Sequence, residues 1–270
     1  MSESTRLQAF IDRHQRLFVL TGAGCSTNSG IPDYRDADGQ WKRTPPVTFQ
    51  AFMGSEATRQ RYWARSLVGW RVFGRIKPNP AHAALARLEA FGKSELLLTQ
   101  NVDRLHQAAG STRVIDLHGR LDRVRCTGCG RTSPRDAMQE ALVRLNPAWA
   151  GRDAVAAPDG DADLDETNFS AFRVPPCPCC GGLLKPDVVF FGETVPKDRA
   201  AAAFEALERA DGMLVVGSSL MVYSGFRFVQ AAARHGKPVA AVNLGRTRAD
   251  GLLALKVAQP CAEALSFLLE

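Results

Sequence analysis

Residues 17–35 read LFVLTGAGCSTNSGIPDYR. Leu17–Thr21 is a short apolar run of the kind a fully buried strand carries. Gly22-Ala23-Gly24 then strips the chain of side-chain bulk, and the residues from Cys25 and Ser26 onward open a helix. A strand, a glycine-rich turn and a helix start form an anion site, because backbone N–H groups and the helix dipole face the ligand. As a hydride-transfer fingerprint the stretch is incomplete. Thr27 occupies the place of the third glycine, and Lys42 and Arg43 stand about 20 positions on, where an acidic residue would hold a ribose. The stretch predicts a nucleotide site other than that of a standard dehydrogenase, although an ordinary tight turn also explains a bare Gly-x-Gly.

Outward from this turn, short apolar runs alternate with helical patterns. Strands are expected at Leu17–Thr21, Glu95–Thr99, Val114–Leu117, Met213–Gly217 and Val239–Asn243. A polar helix leads into the first of them. Further helices are expected at Pro80–Phe91, Val102–Ala109 and Gly225–His235, stopped by Gly92, Gly110 and Gly236. Such alternation predicts an α/β fold, a doubly wound parallel (Rossmann-like) sheet. Residues 1–42, 74–119 and 185–270 are assigned to that nucleotide-binding unit. Residues 43–73, rich in aromatic and basic side chains, read as a helical insertion, and residues 120–184 as a smaller metal-binding module. Within the module, Ala156–Glu166 (AAPDGDADLDE) reads as an acidic surface loop.

Two more clusters fall at strand ends, where a doubly wound sheet opens its ligand crevice. Gln100-Asn101-Val102-Asp103 opens a helix: Asn101 can hold a water or hydroxyl and Asp103 a carboxamide, while either can also simply cap the helix. Asp116-Leu117-His118-Gly119 offers His118 as a general base, a role typically contributing about 10²–10⁴-fold. A lone histidine is more often structural, and that reading is kept for His14, His82, His106 and His235. His118 differs because it shares its sheet edge with the other clusters. Gly217-Ser218-Ser219 and Asn243-Leu244-Gly245 are small polar loops suited to the adenosine half of a dinucleotide, or to generic turns.

Seven cysteines, an odd number, include Cys126-x-x-Cys129 and Cys177-x-x-Cys180, each followed by glycine. Four thiolates at this spacing suit tetrahedral zinc in a closed, structural site, which can supply on the order of 10–16 kcal/mol of folding free energy. Cys179 is an alternative ligand in the second pair. The gap between the pairs, 48 positions, exceeds that of a simple zinc ribbon, and the acidic loop fills the excess. A hydrophobic content of 45% and a charged content of 23% exclude a disordered chain. No apolar run is long enough to span a membrane. The net charge of +6 is scattered rather than gathered into a stripe, so no nucleic-acid partner is expected. With no signal segment visible, a cytoplasmic protein is expected; a mitochondrial matrix protein with a trimmed leader would read the same. A monomer is favoured.

Laid in order, TGAGCSTNSGIPDYR (21–35), TQNVDRLH (99–106), DLHG (116–119), the cysteine pairs, KPDVVFFGE (185–193), VVGSSL (215–220) and VNLG (242–245) resemble the sirtuins, NAD-dependent protein-lysine deacylases. The resemblance runs from Leu17 to Cys261. RQRYWARSLVGW (59–70) and SSLMVYSGFRF (218–228) look most like class II, the branch with a mitochondrial vertebrate member. It implies that NAD, consumed as a co-substrate, lies across Gly22, Ala23, Gly24, Ser26, Ile31, Pro32, Asp33, Tyr34 and Arg35. It further implies contacts from Gln100, Val102 and Asp103, from Gly217, Ser218 and Ser219, from Asn243, Leu244 and Gly245, and from the backbone near Cys261. Val102 and Asp103 would hold nicotinamide and Asn101 the ribose or a water. The acyl oxygen would attack the ribose as nicotinamide leaves, and His118 would take a ribose hydroxyl proton, giving O-acyl-ADP-ribose. Acyl-lysine proteins are the implied partners, with the peptide adding a strand beside Val188, Val189, Phe190, Phe191 and Gly192. Tyr62-x-x-Arg65 has the spacing that reads acidic acyl chains in some sirtuins, although its flanking lengths differ, so succinyl or glutaryl groups join acetyl as expected substrates. Mono-ADP-ribosyl transfer to protein on the same NAD site, or a non-catalytic zinc and NAD sensor, are the alternatives.

Overall fold

A computed structural model describes residues 2–36, 38–42, 46–152, 155–156, 160, 162–164 and 168–270. Most of the acidic loop expected at Ala156–Glu166 lies outside the described residues, as does the start of the helical insertion.

The strands of the main sheet are β1 (Leu17–Thr21), β2 (Ser94–Thr99) and β3 (Val114–Asp116). A small antiparallel sheet follows, from β4 (Gly119–Cys126), β5 (Thr132–Pro134) and β8 (Leu184–Val188), with a separate short pair, β6 (Val155–Ala156) and β7 (Ala162–Asp163), between β5 and β8. The chain then returns to the main sheet with β9 (Gly212–Val216), β10 (Val239–Val242) and β11 (Leu255–Val257). The main sheet is parallel throughout, in the order β11-β10-β9-β1-β2-β3. The order reverses between β1 and β9, so the crevice beyond their carboxyl ends is where a ligand belongs. The five expected strands are present, each within a residue at either end. β11 gave no recognised signal, since a three-residue edge strand is too short to show a period.

Side-chain alternation sorts the strands onto two faces. Leu17, Val19, Leu97, Leu214, Val216 and Val242 meet α1 (Glu3–Arg13), α4 (Pro80–Ala90) and α9 (Cys261–Ala264). Phe18, Leu20, Leu98, Met213, Val215 and Val239 meet α7 (Lys197–Arg209) and α8 (Tyr223–Arg234) on the other. Burying each such side chain contributes about 1.5–3 kcal/mol. A third core joins α2 (Phe49–Gly54) and α3 (Glu56–Phe73) to the small sheet and α6 (Arg135–Leu145), through Phe52, Trp63, Leu67, Val124, Met138 and Leu142.

The helix expected at Val102–Ala109 is shorter: α5 spans Leu105–Ala108. Arg104 takes a left-handed conformation (φ 66°), strain that the Arg104–Asp116 ion pair helps hold. This turn keeps Asn101, Val102 and Asp103 out of the helix and at the end of β2. α4 starts as its sequence suggests: the Asn79 side chain accepts from Ala81 N–H, Pro80 sits in the first turn, and His82 Nδ1 accepts from Asn79 N–H. Among the described residues, no helix is long and apolar enough to cross a membrane.

Candidate active site

The carboxyl ends of β1 and β9 meet at the reversal point. Gly22 N–H donates to Val216 C=O (3.1 Å) and Gly24 N–H to Gly217 C=O (2.8 Å). Gly217 has φ 62°, and a Cβ there would lie 2.2 Å from Cys25 N, so only glycine fits this crossing. Above it opens a cleft of about 790 Å³, within the usual range for ligand sites. Its walls carry Gly22, Ala23, Gly24, Ser26, Ile31, Asp33, Tyr34 and Arg35 from the first loop, and Gln100, Asn101, Val102 and Asp103 from the second. His118, Gly217–Ser219, Asn243–Gly245, Cys261, Tyr62 and Val188–Gly192 complete what the sequence singled out. Pro32 and Arg65 do not line it. The glycine cradle and the small polar loops leave backbone room for a dinucleotide, so the residues present fit NAD.

One hydroxyl ties the first two loops together. Asn101 Nδ2 donates to Gly22 C=O and to Ser26 Oγ, both at 3.0 Å, and Ser26 Oγ donates to Asp103 Oδ2 at 2.7 Å. Asp103 Oδ1 accepts from Leu105 N–H at 2.9 Å. Asp103 therefore does both things the sequence left open, capping α5 and facing the cleft. Burial pushes its carboxyl up, although the bonds from Leu105 and Ser26 oppose this. Asn101 caps nothing; its amide joins β1 and β2 at their ends.

His118 is half-buried at the end of the β3 edge. Its Nδ1 lies 2.9 Å from Gln100 C=O, which can only accept, so Nδ1 carries the proton. Nε2 is left with a lone pair, and Ser224 Oγ stands 2.7 Å from it. Burial holds the imidazole pKa down at about 4; the charges of Arg199 and Arg227 act the same way, against the Gln100 contact. At neutral pH His118 is thus an uncharged base with its free nitrogen in a ligand cleft. His82 and His106 lie beneath the first loop, buried and also driven neutral, with His106 Nε2 2.9 Å from Thr21 Oγ1. His14 contacts Phe10 C=O and His235 ends α8, as structural histidines do.

The four paired cysteines converge at one end of the small sheet. Cys126, Cys129, Cys177 and Cys180 bring their Sγ atoms within 4.8 Å of one another, with Cys126–Cys180 at 3.5 Å and Cys129–Cys177 at 3.8 Å. A tetrahedral ion with ligands at about 2.3 Å needs sulfurs about 3.8 Å apart, so the cluster fits zinc. A Cβ on Gly182 would come within 3.1 Å of Cys126 Sγ and 3.2 Å of Cys180 Sγ, which explains the glycine after the second pair. Cys179 is outside the cluster, with its Sγ 2.6 Å from Arg131 Nη1.

Tyr62 is only 5% exposed, with its ring edge-on to Phe52, Trp63 and Phe190 at about 5.4 Å. It is a wall of the cleft backed by the aromatic core, and Arg65, three residues on, is not beside it in the cleft. Near Val188–Gly192, β8 ends at Val188, Phe190 N–H donates to Glu193 (2.9 Å), and Phe191 C=O accepts from Phe49 N–H (2.9 Å). Fewer backbone groups are thus open to an added strand than the sequence implied. Sequence reasoning missed Trp41, Glu193 and Ser224 on the cleft walls. Trp41 stacks under Arg35, whose Cζ lies 4.0 Å from the ring centre, and meets Phe191 edge-on, contacts that no spacing rule announces.

A model of the Sir2 family matches residues 22–224. The chain is 69% identical over 263 residues to a Bradyrhizobium diazoefficiens protein named NAD-dependent protein deacetylase 2, covering 97% of this chain and 96% of that one. A human protein, NAD-dependent protein lipoamidase sirtuin-4, mitochondrial, is 50% identical over 262 residues, 96% of this chain and 83% of its own length. A solved Sir2 structure with a p53 peptide and NAD+ is similar at a TM-score of 0.77 and 30% identity, over 98% of this chain and 96% of that chain.

Proposed function

This chain belongs to the Sir2 family and is an NAD-dependent protein deacylase, and from that premise we propose how its residues divide the reaction and which acyl groups they accept. The observation that carries the reading is His118, neutral, with Nε2 open to the cleft beside Asn101 and Asp103. Bound NAD supplies an electrophilic ribose carbon and a nicotinamide leaving group. Gly22–Gly24 and Gly217–Ser219 hold phosphate and ribose on backbone N–H groups. Asp103 and Val102 receive the carboxamide, and Asn101 orders a hydroxyl or water. His118 takes the ribose hydroxyl proton on Nε2, and Gln100 C=O steadies the imidazolium through Nδ1–H.

The acyl-lysine enters from the side of Val188–Gly192. We take its acyl group to be acetyl or a longer apolar chain rather than a dicarboxylic one. Ile31, Phe73, Leu121, Val102 and Val188 form an apolar cluster on the cleft wall, and Arg65 is not placed to read a carboxylate. The human relative's name as a lipoamidase supports the same direction. One chain supplies the whole cleft, which supports a monomer as the working form. Seven free thiols, four of them at zinc spacing, support a reducing, cytoplasmic setting.

The test is mass spectrometry of reactions with acetyl-, lipoyl-, succinyl- and glutaryl-lysine peptides and NAD, with His118→Ala alongside. Nicotinamide and O-acyl-ADP-ribose are expected from the apolar peptides and not from the mutant. Preferential turnover of succinyl or glutaryl peptides would overturn the acyl assignment. Nicotinamide release that needs no acyl-lysine would point instead to ADP-ribosyl transfer.

A further inference from the structure

Val222-Tyr223-Ser224-Gly225 begins α8 directly under the imidazole of His118. Ser224 is half-buried in the cleft wall, and its Oγ lies 2.7 Å from His118 Nε2. Serines in a first helical turn usually turn their hydroxyl to the local backbone. Here the start of α8 has no side-chain cap from Val222, and the Ser224 hydroxyl goes across the cleft to a residue 106 positions away. The next residue makes the approach feasible: a Cβ on Gly225 would fall 2.5 Å from Gln100 Oε1. Gln100 in turn fixes the far side of the ring through its carbonyl and donates from Nε2 to Ser218 Oγ at 2.7 Å. The imidazole is therefore gripped at both nitrogens, by a carbonyl that only accepts and by a hydroxyl that can do either.

We propose that Ser224 is a positioning residue for the base, holding the His118 Nε2 lone pair toward the cleft and staying bonded to that nitrogen in both protonation states. In the resting site the serine hydroxyl donates to Nε2. When the base works, the O–H bond of the substrate hydroxyl breaks, its proton forms a bond to Nε2, and the electron pair stays on the attacking oxygen. The Ser224 hydroxyl then rotates, so that its oxygen accepts from the new Nε2–H. An alanine offers neither partner, and a carboxylate there would favour the charged ring and dull the base. The cations facing this pair, Arg199 from α7 and Arg227 from α8, disfavour the imidazolium, so a neutral acceptor beside Nε2 answers a need that the surroundings create. Arg227 Nε also donates to the Ser224 carbonyl (3.2 Å), which fixes the turn that carries the hydroxyl.

This inference rests on His118 being the base, and the test separates the two. In the full chain without substrate, nitrogen NMR of the histidine rings across pH reads the tautomer and titration of His118. Steady-state kinetics with NAD and an acetyl-lysine peptide are measured for Ser224→Ala, Ser224→Thr and His118→Ala. In the unaltered protein the proton is expected on Nδ1. In Ser224→Ala the Nε2 resonance and titration midpoint should shift, and kcat should fall about tenfold with KM within about twofold, the size expected for one lost hydrogen bond. Ser224→Thr, which keeps the hydroxyl, should restore both. Unchanged ring signals and kcat in Ser224→Ala overturn the proposal, as does a rise in KM alone. If His118→Ala turns over normally, the base reading fails by itself, whatever Ser224 does to the ring.

Discussion

At His118 a single ring decides whether the cleft can do chemistry. With its pKa held down at about 4, the imidazole is neutral above about pH 5, and activity that needs its free nitrogen is lost only below that range. The acid limb of kcat/KM is therefore expected near pH 4–5 rather than at the ordinary histidine value of about 6.5; a limb at 6.5 would show that burial does not tune the ring. His118→Ala should lower kcat about 10²–10⁴-fold while NAD still binds, measured by quenching or calorimetry. The sequence pointed to His118 because it stood at a strand end beside two other clusters. It did not point to Ser224, because a partner 106 residues away has no local signature.

At the scale of elements, the turns after β1 and β9 touch backbone to backbone, and that contact is the most brittle part of the site. Gly217→Ala puts a methyl group 2.2 Å from Cys25 N at a positive φ, so the two turns must part. A loss of about 1–3 kcal/mol is expected, or roughly 2–10 °C in melting temperature, together with weaker NAD binding. A variant that melts and binds NAD normally would refute the crossing. The sequence marked both turns by their small residues but not that they meet, since pairing of β1 with β9 joins segments almost 200 residues apart. α5 shows the opposite case. Hydrophobic spacing ran a helix back to Val102, and the Asp103 cap and the left-handed Arg104 start it at Leu105.

For the whole molecule, two stabilising terms respond to solution conditions. The four-thiol cluster joins β4 to the loop before β8, so removing zinc with a chelator should unfold the small sheet before the parallel one. Cys180→Ser should lose the metal and Cys179→Ser should keep it, as zinc assays on purified protein would read. Acid acts on the buried rings: His82, His106 and His118 all have folded pKa values below the unfolded value of about 6.5. The unfolded chain therefore binds more protons as pH falls from 6.5, and stability present above that pH is lost toward pH 4. The slope is about 1.4 kcal/mol per pH unit for each fully shifted ring. Denaturant midpoints measured from pH 7 to pH 4.5 should fall steeply; a flat profile would mean the rings are not buried neutral.

What the residues alone determined was whatever depends on near neighbours in the chain. That includes the strand and turn at 17–35, the glycine stops at Gly92, Gly110 and Gly236, the two cysteine pairs, and histidine at a strand end. Each is written within a few residues, where backbone preference and ligand spacing act. Only the tertiary structure decided that Arg65 is away from the cleft, that Cys179 stands apart from the four-thiol cluster, and that Ser26 links Asn101 to Asp103. It also decided that Ser224 meets His118. These depend on side-chain direction across packed elements, and packing is set by the whole core at once rather than by any stretch of it.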